Sequence, residues 1–297
     1  MSIAVTGASG WLGRATIASL LASGSEVKDI KCFSSKRRTI TVENLNFESL
    51  PLEELSNCKD IETLVHLAFL TREKIIQNDL AKYCSLNRHI TQFVTDFIAT
   101  AKPISVITIS SGAVFDGPEF TSLTQNFEVN PYGYLKLEEE AKLKSVCSNI
   151  NASLVINRLW GLSGKDIQNV GPYALAEFIL RAKREETIYV RSVKEVWRRY
   201  VDARELMTLC LKIARSNQSI TFNSGGPLVE IGQLAEVVKT VLNSDIAIVR
   251  EKIDKRLIPD AYYAPDQTYE ALLLKYLQVS PLALESQVLQ TSLALSG

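Results

Sequence analysis

Histidine is nearly absent from this 297-residue chain: only His66 and His89 occur, so a histidine-based metal centre or a histidine-driven triad has little to draw on. No metal site is expected. Cysteine is scarce too. Cys32, Cys58, Cys84, Cys147 and Cys210 are odd in number, far apart and without a CxxC pair, which argues against a disulfide framework and a zinc site alike. Net charge is missing as well: Lys plus Arg and Asp plus Glu each total 33, so no global field attracts nucleic acid and any anion binding has to be local. No apolar run approaches the roughly 20 residues that cross a bilayer, and there is no internal repeat or low-complexity segment. The first residues, MSIAVTG, enter a strand and a glycine turn with no basic segment ahead of them. No signal peptide is therefore expected, and a cytoplasmic location follows.

What is present is an ordinary globular composition, 46% hydrophobic and 22% charged, in a chain long enough for one large α/β unit or a main domain with an appendage. Apolar runs at 2–7, 26–33, 62–69, 103–112 and 152–161 alternate with helical patterns, the first from about 11 to 23. Strands separated by helices imply βαβ units, and continuous rather than alternating apolar strands imply a parallel sheet covered on both faces. The fold class is a doubly wound, Rossmann-type α/β fold. Beyond Arg158 the pattern is less regular: a loop at 161–172, a helix at 173–184, strand-like 187–190 and 195–203, and a glycine turn at 223–227. This reads as a smaller lobe built from discontinuous segments. The expected division is 1–157 with about 202–225 for the Rossmann domain, and about 158–201 with 226–297 for the lobe. The tail, 280–297, is apolar and partly helical, either packing on the body or meeting a partner.

Residues 6–13, TGASGWLG, place Gly7, Gly10 and Gly13 between a strand and a helix. Glycine lets the backbone turn sharply and approach a pyrophosphate, while the helix N-terminus offers free N–H groups and a positive dipole end. The turn, Gly7, Ser9, Gly10, Trp11, Leu12 and Gly13, is a candidate nucleotide cradle. About twenty residues on, where an acid commonly binds a ribose 2′-hydroxyl, stand Ser34, Ser35, Lys36, Arg37 and Arg38. Hydroxyls and cations suit a dianionic 2′-phosphate, so NADP (as NADPH) is expected ahead of NAD. The alternative is a solvated basic loop.

Residues 106–117 form an apolar strand ending at Ser110 and Ser111, and 131–136, PYGYLK, set Tyr132 and Lys136 four apart, on one helix face. A phenol titrates near 10, so it needs a neighbouring cation to act near neutrality, and Lys136 can supply one. A serine hydroxyl at a strand end can bind a carbonyl or alkoxide as hydride moves. Tyr132 is then the proton donor. Phe69 and Arg72 follow a strand's C-terminal end, where ligands of open α/β sheets bind. Each is a candidate substrate contact, with a surface role as the alternative for Arg72. His66 reads as a core histidine without a partner for chemistry.

Taken together, TGASGWLG, LVHLAF, SSGAVFDG, PYGYLK, NRLWG and FNSGGP, in that order, resemble the motifs of the extended short-chain dehydrogenase/reductase family, the NAD-dependent epimerase/dehydratase family, and in particular its sugar-nucleotide branch. The resemblance implies that Ser111, Tyr132 and Lys136 are the catalytic hydroxyl, phenol and ammonium. It further implies that Leu67, Ala68 and Asn87 lie beside the cofactor, that the substrate is a nucleotide sugar, and that no nucleic acid or membrane is a partner. Members often pair as homodimers through two helices each, which makes the helix of Tyr132 and Lys136, with its LEEEAKLK run, a candidate for that face.

Two departures narrow the expectation. Ser111 is followed by Gly112 and Ala113 instead of the Asp-Glu pair of the dehydratases, which removes the acid and base that dehydration needs. In the family's RDFIHVDD segment the first arginine is replaced by Val196, with Arg198 and Arg199 further on. These two either clamp a pyrophosphate or are surface charges. Trp160 and Trp197 read as core. The basic cluster favours a cofactor exchanged at each turnover, hence an NADPH-dependent reductase of a nucleoside-diphosphate 4-keto-6-deoxy-sugar. The alternatives are a sugar-nucleotide 4-epimerase and a non-catalytic NADP-sensing regulator.

Overall fold

A computed structural model describes residues 2–75, 79–116, 122–168, 170–171 and 173–295. Gly117 of the SSGAVFDG segment, Asn169 and Pro172 of the loop at 161–172, and Ser296 and Gly297 of the tail lie outside the described residues. The apolar runs become strands: β1 (Ile3–Thr6) leads through helix α1 (Trp11–Ala22) to β2 (Ile30–Ser34), then β3 (Arg38–Val42), β4 (Leu45–Pro51) and β5 (Thr63–His66). Helix α2 (Leu80–Ala101) follows, then β6 (Ser105–Ser111), the short β7 (Phe115–Asp116) and β8 (Ser122–Leu123), α3 (Pro131–Asn149) and β9 (Ser153–Leu159). Every residue of β1, β5 and β6 is buried, as strands covered on both faces require.

The rest of the chain runs through β10 (Leu162–Ser163), α4 (Ala174–Lys183), β11 (Ile188–Val190), β12 (Val196–Arg199), β13 (Val201–Asp202), α5 (Ala203–Arg215) and β14 (Ile220–Asn223). It ends with β15 (Leu228–Glu230), α6 (Ile231–Val241), β16 (Ile248–Arg250), β17 (Asp260–Tyr262), α7 (Thr268–Leu277) and α8 (Leu284–Ala294). Two compact units result: 1–159 with 207–222, and 160–206 with 223–297. The change of unit falls inside α5. Among the described residues no helix is long and apolar enough to cross a membrane.

In the first unit an eight-stranded sheet has the order β14-β9-β6-β5-β1-β2-β4-β3. β1 sits between β2 and β5, parallel to both, and β5, β6 and β9 continue in parallel. The strand order therefore reverses at β1, and the C-terminal ends Thr6, Ser34, His66 and Ser111 open on one edge, the usual ligand edge of such sheets. On one face Val94, Phe97 and Ile98 of α2 and Leu143 and Cys147 of α3 pack against Ala4, Phe33, Leu64, Val106 and Ile156. The intervening Val5, Val65, Ile107 and Val155 are buried as well, so the other face is also covered.

Two local differences from expectation have clear causes. The segment 26–33 is strand only in its second half, because Glu26 and Asp29 reciprocally cap a single turn at Val27–Asp29. After the basic cluster the chain folds back as the antiparallel hairpin β3–β4, turning at Glu43 and Asn44 with φ of 48° and 62°, the paired positive values of a tight two-residue hairpin loop. β1, β2, β4, β5, β6 and β9 thus run parallel, and β3 runs antiparallel at one edge. In the second unit β12 pairs with β15 antiparallel and β17 parallel, and α4, α6 and α8 pack together. The tail packs within this unit: buried Gln287 of α8 accepts from Ser163 Oγ at 2.6 Å and donates to the Tyr200 and Leu282 carbonyls, and Thr291 Oγ1 accepts from Gly164 N at 2.8 Å.

Leu64, fully buried at the centre of β5, tests this core. Leu64→Ala is expected to lower the unfolding free energy of the first unit by about 2 to 5 kcal/mol in a urea titration, through lost burial and the cavity left behind.

Candidate active site

At the C-terminal end of β1 the chain turns at Gly7, whose φ is +68°; a Cβ there would stand 2.7 Å from the Leu67 carbonyl carbon, so no other residue fits between the β1 and β5 ends. A Cβ on Gly13 would come within 2.4 Å of Gly7 O, which is why α1 can start directly under the turn. Gly10 differs: it is exposed, and its built Cβ meets only Gly7 O at 3.3 Å. It is the N-cap of α1, with no side-chain cap and no acidic residue in the first turn. The N–H groups of Trp11 and Leu12 thus begin a helix end that carries no competing carboxylate, as an anion site requires. Ser9 is half-buried beside them.

At the end of β2, buried Ser34 donates to Lys36 O at 2.8 Å and accepts from Ser49 Oγ at 2.9 Å, while Ser35 and Lys36 are exposed. Arg37 is shared between Glu48 and, at 3.1 Å, Glu54. Its charge is largely met within the hairpin. Arg38 Nε is buried without a partner, and Arg14, directly after Gly13, reaches Thr41 O at 2.8 Å with its own Nε unpaired. Sequence reasoning passed over Arg14; a cation immediately after the third glycine was the available signal.

The serines at the end of β6 part company. Ser110 donates to Glu140 at 2.6 Å, and Glu140 also receives the Arg158 guanidinium in two bonds of 3.0 and 2.8 Å. Ser111 accepts from Ala113 N at 3.1 Å, and its hydroxyl works against the rise of the Tyr132 phenol. Helix α3 is held against this turn by Asn130, which accepts from Gly133 N at 3.0 Å and donates to Ala113 O at 2.7 Å, with Pro131 opening the first turn. A Cβ on Gly133 would lie 2.0 Å from Ala113 O. Only glycine lets the helix approach so closely. Asn130 was missed from the sequence, although Asn-Pro is a legible helix start.

Burial pushes the Tyr132 phenol up to about 12, against the opposing hydrogen bond from Ser111 and with the charges of Glu139 and Glu73 adding to the rise. This corrects the expectation that Lys136 lowers that value. Lys136 is buried and committed elsewhere: its ammonium donates to Ile109 O at 3.0 Å and Glu139 Oε2 at 2.9 Å, and stands 3.8 Å from the centre of the Phe69 ring. Phe69 meets Tyr132 edge-on with ring centres 6.0 Å apart. The loop carrying Phe69 is clamped by Asn87, which accepts from Leu70 N at 2.8 Å and donates to Leu70 O, and by Tyr83, whose hydroxyl donates to the same carbonyl. Leu67 N and Ala68 N both donate to Thr6 Oγ1. Arg72 is exposed, and its charge acts on Tyr132.

His66 is not without partners: Nδ1 lies 2.8 Å from Thr6 Oγ1 and Nε2 lies 3.1 Å from Glu139 Oε1. The acid run 138–140 is split, with Glu138 facing Arg88 and both Glu139 and Glu140 buried. In the second unit Arg198 binds Asp260 and Arg199 binds Glu270 at 3.2 Å each. Trp160 is buried and Trp197 half-buried. Among the described residues no group of three or more His, Cys, Asp or Glu is placed to hold a metal ion.

The model of the NAD dependent epimerase/dehydratase family matches residues 3–225, from β1 through the glycine turn after β14. The chain belongs to this family. Similar solved structures include the UDP-N-acetylglucosamine 4-epimerase of Methanobrevibacter ruminantium in complex with UDP-N-acetylmuramic acid, 20% identical over 99% of this chain and 97% of that one, with a TM-score of 0.79. The UDP-glucose 4-epimerase of Thermotoga maritima with UDP-glucose is also 20% identical over 99% and 98%, TM-score 0.76, and that of Thermus thermophilus with NAD is 15% identical over 99% and 98%, TM-score 0.75. At such identities the likeness speaks for the fold. No curated protein matches. The family is NAD(P)-dependent, and the open Gly10 and uncapped α1 end leave space and free N–H groups that would suit a dinucleotide at the glycine turn.

Two measurements probe this site. Gly133→Ala is expected to cost about 1 to 3 kcal/mol through overpacking against Ala113; an unchanged urea midpoint would show that α3 does not lean on that carbonyl. Burial raises Glu140, but Arg158 and Ser110 outweigh it and hold the carboxyl below its ordinary 4.5. A depressed acid stabilises above its unfolded pKa and loses that contribution as pH falls through the folded value. The stability gap between wild type and Glu140→Gln should therefore be full at pH 7 and shrink steadily below about 4.5, which urea titrations at several pH values would read.

Proposed function

We propose that the protein is an NADPH-dependent reductase of a nucleoside-diphosphate 4-keto-6-deoxy-sugar. The observation that carries this reading is the end of β2, where Ser34 stands in the place of the carboxylate that binds a ribose 2′-hydroxyl. Exposed Ser35 and Lys36 and the nearby Arg14 and Arg38 offer a hydroxyl and cations there, while Arg37 keeps the carboxylates of Glu48 and Glu54 paired. Burial raises the Tyr132 phenol, which is the candidate proton donor that carbonyl reduction needs.

In this reading Gly7, Ser9, Gly10, Trp11, Leu12 and Gly13 hold the pyrophosphate, Ser34, Ser35 and Lys36 the 2′-phosphate end, and Leu67 and Ala68 the ring end of the dinucleotide. Arg37, engaged by Glu48 and Glu54, contributes less than its charge suggests, and Asn87 acts by holding the Phe69 loop. Bound NADPH supplies the hydride, two electrons and one hydrogen to the keto carbon. Ser111 donates a hydrogen bond to the keto oxygen, Tyr132 gives it a proton, and the tyrosine recovers one from water. Phe69 excludes water beside the carbonyl. The first unit is the dinucleotide-binding part and the second the substrate-binding part, with Arg198 and Arg199 bracing β12 through Asp260 and Glu270.

A 4-epimerase is the second reading, favoured by the full-length likeness to UDP-sugar 4-epimerases. Purified protein given a panel of nucleoside-diphosphate 4-keto-6-deoxy-sugars should consume NADPH stoichiometrically and NADH weakly. Tyr132→Phe is expected to lower kcat by about 10² to 10⁴. No NADPH consumption, together with interconversion of nucleotide hexoses by a retained cofactor, would replace the reductase with the epimerase.

A further inference from the structure

Phe69, on the loop after β5, sets its ring against two groups of the site at once. The Lys136 ammonium stands 3.8 Å from the ring centre, and the Tyr132 ring meets Phe69 edge-on with centres 6.0 Å apart. A cation within about 6 Å of an aromatic face is drawn to it. An ammonium has three hydrogens to donate. Two of them go to Ile109 O at 3.0 Å and Glu139 Oε2 at 2.9 Å, and the Phe69 face supplies the third partner. Lys136, its side chain 6% exposed, is thus fully engaged.

The three partners are not held alike. Ile109 lies within β6 and Glu139 is buried on α3, whereas Phe69 is half-buried on a loop. Taking the place of Ile109 O would open the sheet edge, and taking the place of Glu139 would leave a buried carboxylate unpaired. The ring is the partner that a ligand hydroxyl can displace.

We infer that Phe69 is a displaceable cover on Lys136, its ring rotating off the ammonium when a hydroxyl of the bound dinucleotide takes its place. The inference rests on the dinucleotide placement in the proposed function, not on the direction of the reaction. The motion belongs to one side chain, because the backbone is pinned on both sides of it. Before Phe69, Leu67 N and Ala68 N donate to Thr6 Oγ1 at 3.1 and 3.2 Å. After it, Leu70 N donates to Asn87 Oδ1 at 2.8 Å, and Leu70 O accepts from the Tyr83 hydroxyl at 2.9 Å and Asn87 Nδ2 at 3.3 Å. Thr6, Tyr83 and Asn87 are themselves buried. With both neighbours fixed, rotation about the side-chain bonds is the freedom that remains. A small cavity borders the ring, lined by Asn87, Arg88, Leu135, Glu138 and Lys142, so the ring is not packed solidly on every side. Such a cover sorts ligands: one that brings a hydroxyl to the ammonium replaces the lost ring contact with a hydrogen bond, and one that does not leaves Phe69 where it is.

The test uses the full-length protein with ¹³C,¹⁵N-labelled lysine, the Lys136 signal being identified by its loss in Lys136→Arg. In the wild type the protons at the end of the Lys136 side chain should resonate upfield of the other lysines, shielded by the Phe69 ring. Phe69→Leu, which keeps apolar bulk and removes the π face, should abolish that shift, and Phe69→Tyr should retain it. Saturation with NADP⁺, or with NAD⁺ in a parallel titration, should remove the shift from the wild type. In calorimetry Phe69→Leu should bind the dinucleotide about 2- to 30-fold more tightly, the worth of a cation–π contact that no longer has to be broken. Phe69→Tyr should bind as the wild type does. A wild-type Lys136 signal without the upfield shift, or one that keeps it in the dinucleotide complex, overturns the inference. So does a Phe69→Leu protein that binds no more tightly than the wild type, since the ring would then be a wall of the binding site. If Phe69→Leu does not fold, the wild-type titration decides alone. A shift lost on binding without reduction of any 4-keto-sugar upholds the cover and refutes the reductase alone, whereas a protein that binds neither dinucleotide removes the cover and the proposed cofactor site together.

Discussion

The register of α3 on the sheet is the constraint from which the rest of the site follows. Asn130 ties the start of the helix to Ala113, and Glu140, ten positions on, ties its middle to Ser110 and Arg158. At about 1.5 Å per residue and 3.6 residues per turn, sliding α3 by one position would swing every side chain by about 100°. Ser111 would then lose Tyr132, and Glu139 would leave His66. Gly133 is the point of closest approach in this arrangement, since any side chain there would meet the Ala113 carbonyl before the two anchors could close.

Two neighbouring buried acids could be expected to destabilise such a helix, because ions withdrawn from water are repaid only by near-complete pairing. Glu140 is engaged by a two-pronged guanidinium and a hydroxyl, and Glu139 by the Lys136 ammonium, with His66 Nε2 3.1 Å away. The division of labour is also spatial. Glu140 serves the architecture, drawing Ser110 away from the site and leaving Ser111 to Tyr132. Glu139 takes the Lys136 ammonium on its other side.

The parts of this molecule that depend on neighbours in sequence were legible in it. TGASGWLG between strand and helix, the buried strands, and Tyr132 with Lys136 on one face all rest on turn geometry or helical period, and all are present. What was not legible depends on residues far apart in the chain. LEEE looks like a solvated face until α3 is placed on β5 and β6, and His66 looks like an idle core residue until Glu139 arrives opposite it. Arg37 looks like a free cation until the β3–β4 hairpin, itself unread, brings Glu48 beside it. The Ser34–Ser49 contact needs the same hairpin.

That hairpin bears directly on cofactor choice. Of the cations after β2, Arg37 is balanced by two carboxylates, and exposed pairs of this kind are weak and screened by salt. Ser34 matters more: it occupies the strand end, its hydroxyl bonded to Lys36 O, in the place of a carboxylate that would repel a dianion. In the proposed reading the absence of repulsion admits the phosphate without demanding it, and any preference for it would come from Lys36, with Arg14 and Arg38 from α1 and β3.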